Sequence, residues 1–332
     1  MAAWKAKDYQ GILFVGDPHV ASFAPGYRRD NYPETVIEKL SFAMNYARQH
    51  NLMPVILGDL FHVPRNNPNY LLVELIRLFK PLIPWVLLGN HDKHEARFTP
   101  DVSIAVLEEA GVIRLIKDDG PVDVVSVCGR SILLGASPDW TPLPAEVSED
   151  DRRKCDLVVW ISHHNLLFDE IIEDTPGPQP RIKGFDLREI PGVDVVVNGH
   201  LHKPRPPVQK GKTLWLNPGS LVRIIRSASI KDVKPSITAL LYNGEQPYFE
   251  TIDVPHKPFE EVFYPFPEPG EFYIETVDGE SRFIRGLENL ALRRTAEGIG
   301  LRQFLEVNLN MADPVDKEIW ELYQEAVSNE SK

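Results

Sequence analysis

Cysteine is nearly absent: Cys128 and Cys155 are the only two in 332 residues. That leaves no disulfide framework and no zinc or redox spacing, and a reducing compartment fits. Long apolar runs are also missing. No stretch approaches the roughly 18 residues of a membrane span. The segment Met1 to Gln10 is polar and mixed in charge, without the apolar core of a signal peptide. The expected location is therefore cytoplasmic, with no membrane association. Excess positive charge is lacking as well, since 36 Lys and Arg face 48 Asp and Glu for a net charge of −12. So acidic a chain is not a general nucleic-acid glue, although a local basic strip or a bound metal can offset the total. Repeats and low-complexity tracts are absent.

What is present is ordinary for a globular protein, 43% apolar and 25% charged. The length suits one large domain with a small appendage, or two domains. Ile12 to Val15, Pro54 to Leu57 and Trp85 to Leu88 read as buried strands: short, apolar and without alternation. Helical faces lie between and after them. Ile37, Leu40, Met44 and Ala47 form one, Leu71, Leu72, Leu75, Ile76 and Phe79 a second stopped by Pro81, and Ile104, Leu107 and Ala110 a third closed by Gly111. This β-α-β-α order predicts parallel strands with crossover helices.

From Val122 the pattern changes. Val122 to Cys128 and Ser131 to Leu134 read as a hairpin about Gly129-Arg130. Leu157 to Ile161, Val193 to Val197, Thr213 to Leu216, Ile237 to Tyr242 and Tyr248 to Val254 are further strands, too many for one modest sheet. The expected fold class is α/β: two packed mixed β-sheets flanked by helices, with a small C-terminal α/β appendage. Residues 1–255 would be the main domain and 256–332 the appendage, joined through the proline-rich stretch Pro255 to Gly270. The appendage would pair strands Phe272 to Val277 and Phe304 to Leu309 with helices from Leu287 and Asp313. Asp174 to Gly184 reads as a loop near the site.

Chemistry-bearing residues recur at strand ends: Gly16-Asp17-Pro18-His19, Gly58-Asp59-Leu60-Phe61-His62, Gly89-Asn90-His91-Asp92, Ser162-His163-His164 and Asn198-Gly199-His200-Leu201-His202. Lys203-Pro204 and Asn217-Pro218-Gly219-Ser220 support them. Hydrolysis of a phosphate ester needs neutralised phosphate charge and a strong nucleophile. Two cations about 3.5–4 Å apart supply both. One carboxylate should then touch both ions, with neutral imidazoles filling other positions. The i, i+2 pairs Asp17/His19 and His200/His202 each point one way in extended chain. Asn90 offers a neutral oxygen, His91 would turn toward a leaving group, and Asp92 would orient His91. Adjacent His163 and His164 cannot easily share a metal. His163, nearer the strand, is the expected ligand.

In this order the motifs resemble the calcineurin-like metallophosphoesterase superfamily over about Gly11 to Val254. The resemblance implies a sandwich of two sheets flanked by helices, with the site at the strand ends. It implies that Asp17, His19 and His202 bind a first metal, that Asp59 bridges, and that Asn90, His163 and His200 bind a second. His91 would protonate the leaving oxygen. Asp59-Leu60-Phe61-His62, His200-Leu201-His202-Lys203-Pro204 and Pro218-Gly219-Ser220-Leu221-Val222-Arg223 are similar to the SbcD-type nuclease branch of double-strand-break repair. That implies manganese as the metal, a DNA substrate, an ATPase partner subunit and His62 as an added catalytic group. A homodimer is a further expectation. Residues 256–332 would make only a small cap. Lys203, Arg205, Arg223, Arg226 and Lys231 are placed to meet phosphates. The alternatives are a phosphodiesterase or phosphatase for a nucleotide or other small phosphoester, and a scaffold that kept the fold without catalysis.

Overall fold

Asp8–Tyr9 (β1) is a short strand, and the first apolar run, Gly11–Val15 (β2), is buried throughout. The computed structural model describes residues 7–94, 97–168, 185–226 and 230–265, with Lys317 and Trp320. Helix Tyr32–Gln49 (α1) starts with a proline in its first turn and carries Glu34 there and Arg48 in its last, as the helix dipole favours. It buries Val36, Leu40, Ala43, Met44 and Ala47, with Ile37 at the margin. Then come Leu52–Ile56 (β3), Asn69–Phe79 (α2), Trp85–Leu87 (β4), Ser103–Glu109 (α3) and Arg114–Ile116 (β5). Ala110 caps α3 and is exposed, so the third helical face consists of Ile104 and Leu107 without it.

The second half contributes Gly120–Val127 (β6), Arg130–Ser137 (β7), Glu149–Arg152 (α4), Leu157–Ser162 (β8), Leu166–Leu167 (β9) and Phe185–Asp186 (β10). Val195–Asn198 (β11), Arg205–Lys210 (β12), Thr213–Asn217 (β13), Ser236–Asn243 (β14), Gln246–Asp253 (β15) and Phe259–Val262 (α5) follow. The hairpin turns one residue earlier than expected. Val127 pairs with Arg130, and Cys128 and Gly129 both have positive φ, as a two-residue type I′ loop requires. β12 carries Pro206 and Pro207, which had hidden it. It lies at the sheet edge, where proline is tolerated, and its register shifts between Arg205 and Val208.

The architecture is the expected α/β sandwich. One sheet has the order β15-β14-β2-β3-β4-β5, the other β1-β6-β7-β8-β11-β13-β12. Strands β2, β3, β4 and β5 run parallel, as do β7, β8, β11 and β13. Alternation along each strand separates the layers. Leu13 and Val15 face the helices, while Ile12 and Phe14 face the opposite sheet together with Val159, Ile161 and Val197. Val158, Trp160, Val196 and Trp215 line an outer core.

Two units divide the chain, residues 1–266 and 267–332. The first runs past the boundary expected at 255/256. Phe259, Val262 and Phe263 are buried there with Ile230 packed against them, so burial outweighs the local proline content. The strands and helices expected for the appendage, and the loop at 174–184, fall outside the described residues apart from Lys317 and Trp320, which are helical. Among the described residues no helix is long and apolar enough to cross a membrane.

Candidate dimetal site

Five loops converge from the ends of strands that run parallel within each sheet. Those after β2, β3 and β4 leave one sheet, and those after β8 and β11 leave the other. Backbone bonds lace them: His19 N–H donates to the Asp59 carbonyl at 2.9 Å, and Gly199 N–H to that of Ser162 at 2.8 Å. Asn198 ties the second pair, accepting from the Ser162 hydroxyl at 2.8 Å and from His164 N–H at 3.0 Å. Across the sandwich, His163 Nδ1 lies 2.8 Å from the Leu57 carbonyl, which fixes its ring with Nε2 turned inward.

Glycine is required at two of these turns. Gly58 has φ of +111°, and a Cβ there would collide with the His163 imidazole. A Cβ on Gly89 would collide with Asp59. Positive φ at Asp17, His19, Asp59 and His200 bends the chain so that these side chains meet, a strained arrangement for residues other than glycine.

Two donor groups share one carboxylate. Asp17, His19, Asp59 and His202 offer ligand atoms within 4.8 Å of one another, and so do Asp59, His163 and His200. Asp59 Oδ2 lies 3.6 Å from His19 Nε2 and 3.3 Å from His163 Nε2. Asn90 Oδ1 stands 3.1 Å from both His163 Nε2 and His200 Nδ1, completing the second group. Asp17, His19, Asp59 and His163 form the buried floor, while His62, Asn90, His91, His200 and His202 line a more open mouth. All seven residues expected as ligands are thus brought together. His164 is not. It turns away, its Nε2 2.7 Å from the Thr141 carbonyl and its ring against Phe185.

The donors fit divalent cations. Both carboxylate oxygens of Asp17 are buried without a hydrogen-bond partner. Burial, helped by the Asp59 charge, pushes Asp17 up to about 8. An adjacent cation would reverse that. Burial also holds His200 down to about 3 and His202 to about 4, and keeps His19 well below its usual range, so these imidazoles are neutral donors. Burial opposes ionisation of Asp59, but charges on His163 and His91 hold it well below the usual carboxylate range. The same pairing overcomes burial at His163 and raises it to about 10.

His91 stands beside this centre. Its N–H donates to Asp59 Oδ1 at 2.8 Å, and its ring Nδ1 lies 2.8 Å from the His62 carbonyl. His62 packs near it, with ring centroids 5.4 Å from both His91 and His19. The expected Asp92–His91 pairing is not formed. Asp92 is fully buried and accepts from the N–H groups of Leu60, Phe61 and Gly89, clamping two ligand loops together. A main-chain carbonyl orients His91 instead, and residue type at position 62 carries no trace of that.

The basic cluster is also redirected. Arg223 donates to the Lys257 carbonyl, Arg226 to those of Tyr264 and Pro265, and Lys231 pairs with Glu260 at 2.9 Å. These side chains fasten residues 257–265, whose packing was not foreseen. Lys203 is exposed beside His202.

A sequence model of the calcineurin-like phosphoesterase family matches residues 11–204, more than half of the chain. The chain belongs to this family. The family is one of phosphoesterases, and the matched region contains every donor named above. Solved structures with some likeness to this phosphoesterase include a 5'-nucleotidase precursor from Thermus thermophilus. Identity is 14%, coverage 74% of this chain and 54% of that one, and the TM-score 0.43. The phosphoesterase thus spans about half of that protein. A conserved uncharacterized protein from Streptococcus pneumoniae, titled a predicted phosphoesterase, is 12% identical over 75% of this chain and 91% of that one, with a TM-score of 0.32. No curated protein sequence matches.

Proposed function

We propose that this phosphoesterase is a manganese-dependent phosphodiesterase that cleaves DNA, of the double-strand-break repair type. The observation that carries the hydrolytic reading is the position of Asp59 Oδ2 between the two donor groups, with His91 alongside. Asp17, His19 and His202 would hold one cation, Asn90, His163 and His200 the other, and Asp59 both. Once bound, such a pair neutralises phosphate charge and lowers the pKa of water. The carboxylate and carboxamide oxygens suit manganese, while the imidazoles also suit zinc or iron. His91, with Nδ1–H held by the His62 carbonyl, presents Nε2 to the leaving oxygen, and in its imidazolium form, protonated at both ring nitrogens, it gives up the Nε2 proton there and returns to the neutral ring. His62 would steady that ring and meet substrate at the mouth.

The motif around His62 supports DNA. A partner ATPase and a homodimer belong to the same proposal. So does a cytoplasmic location, supported by two free half-buried thiols.

A second reading, a small nucleotide diester as substrate, is favoured by the engagement of Arg223, Arg226 and Lys231 away from any phosphate track. A manganese-dependent assay on single-stranded DNA, duplex ends and bis-(p-nitrophenyl) phosphate separates the two. Cleavage of the small diester with both DNAs left intact would reject the nuclease and leave the second reading.

A further inference from the structure

Away from the metal centre, a cavity of about 210 Å³ opens between α1, Arg223 and the segment after β15. That volume is far above the roughly 10–15 Å³ one water needs. Its walls bring together three buried cations: Arg28 at 5% exposure, Lys39 at 6% and Arg223 at 8%. Lys257 also lines it. The acidic lining residues are Asp30 and Glu38, and Asp30 is already committed. It takes the Arg28 guanidinium at 2.9 and 2.6 Å and the Thr35 hydroxyl at 2.9 Å. Glu38 is exposed on the solvent side of α1.

Lys39 Nζ has a single acceptor, the Pro255 carbonyl at 2.8 Å, and Arg223 a single one, the Lys257 carbonyl. Among the described residues neither forms an ion pair, although an ammonium has three donors and a guanidinium five. Buried charges are ordinarily paired. Burial, with Arg223 and Arg28 nearby, lowers Lys39 to about 8 against the weaker opposing pull of Asp30 and Glu38.

We propose that this cavity binds a small phosphate-type oxyanion, gripped by Lys39 and Arg223. The shared chemistry is a tetrahedral oxyanion, either free inorganic phosphate or the phosphate of a nucleoside monophosphate. Because Lys39 comes from α1 while the Pro255 and Lys257 carbonyls belong to the following segment, the anion would also pin residues 255–262 to the body of the sandwich. The site is independent of the hydrolytic reading and of the metal centre.

The test is thermal melting of the manganese-loaded full chain in inorganic phosphate, in AMP and in chloride of equal ionic strength. At about 100-fold excess over Kd the midpoint should rise by roughly 5 °C or more. Lys39→Met should lose most of that rise, and Lys39→Arg should keep it. Phosphate held at the metal centre would stabilise parent and Lys39→Met alike, so their difference reports on the cavity. A rise with AMP as well as phosphate identifies a phosphoester as acceptable, and a rise with phosphate alone identifies the free ion. Equal rises in parent and Lys39→Met, or no rise in the parent, would overturn the proposal. Should Lys39→Met fail to fold, tungstate-soaked crystals of the parent decide. Anomalous density between Lys39 and Arg223 supports the site, and its absence there rejects it.

Discussion

The ring Nδ1 of His91 lies 2.8 Å from the main-chain carbonyl of His62, and the two rings stack with an interplanar angle of 20°. A carbonyl can only accept, so Nδ1 carries the proton and Nε2 is left to face the site. This orientation makes His91 a group for proton transfer rather than a member of the two ligand groups that share Asp59.

His91→Ala should therefore lower kcat by about 10²–10⁴-fold, the usual worth of a positioned acid. Bound metal should stay within error of the parent by elemental analysis. Parental turnover in this variant would remove His91 from the mechanism.

Asp59 is the one carboxylate common to both donor groups. Asp59→Ala should abolish activity and strip metal from both positions, whereas His200→Ala should spare the group built on Asp17, His19 and His202. Calorimetric titration with Mn²⁺ measures the difference. Undiminished stoichiometry in Asp59→Ala would show that it does not bridge.

Gly58→Ala places a methyl group against the His163 imidazole at a backbone φ of +111°. The strain should cost about 1–3 kcal/mol. It should displace His163 and weaken the second position more than the first. Denaturant unfolding and metal content check the two effects, and a variant with parental values for both would contradict the assigned packing.

Metal-free protein should be most stable near pH 6.5. Asp17 is raised from 3.8 to about 8, Asp92 from 3.8 to about 7 and His163 from 6.5 to about 10. Above pH 6.5 the folded chain keeps these protons, to about 7 at Asp92, about 8 at Asp17 and about 10 at His163, while the unfolded chain has lost them, so stability falls as pH climbs to about 8, beyond which Lys39, lowered from 10.5 to about 8, offsets His163. Below 6.5 the depressed imidazoles His19, His62, His200 and His202 dominate. The unfolded chain protonates them first and gains the advantage. Bound cations hold the ligands deprotonated and should flatten the alkaline decline. Melting curves from pH 5 to 9, with and without chelator, test this. A metal-free midpoint still climbing at pH 9 would contradict it.

By itself the sequence determined the layers and the stock of donors. Runs such as Ile12 to Val15 and Leu157 to Ile161 are apolar on both faces, which only a strand covered on both sides accommodates. The glycine-flanked Asp, Asn and His motifs follow such runs directly. What the sequence left open was decided by partners far away along the chain. His163 rather than His164 enters the site because Leu57, 106 residues distant, holds its ring. Asp92 clamps backbone near Asp59 rather than His91, and Arg223 and Lys39 turn to carbonyls after β15. Period and propensity report on neighbours within a few residues. Hydrogen-bond partners and the pairing of buried charge depend on which strand ends the topology brings side by side, and that is a property of the folded chain alone.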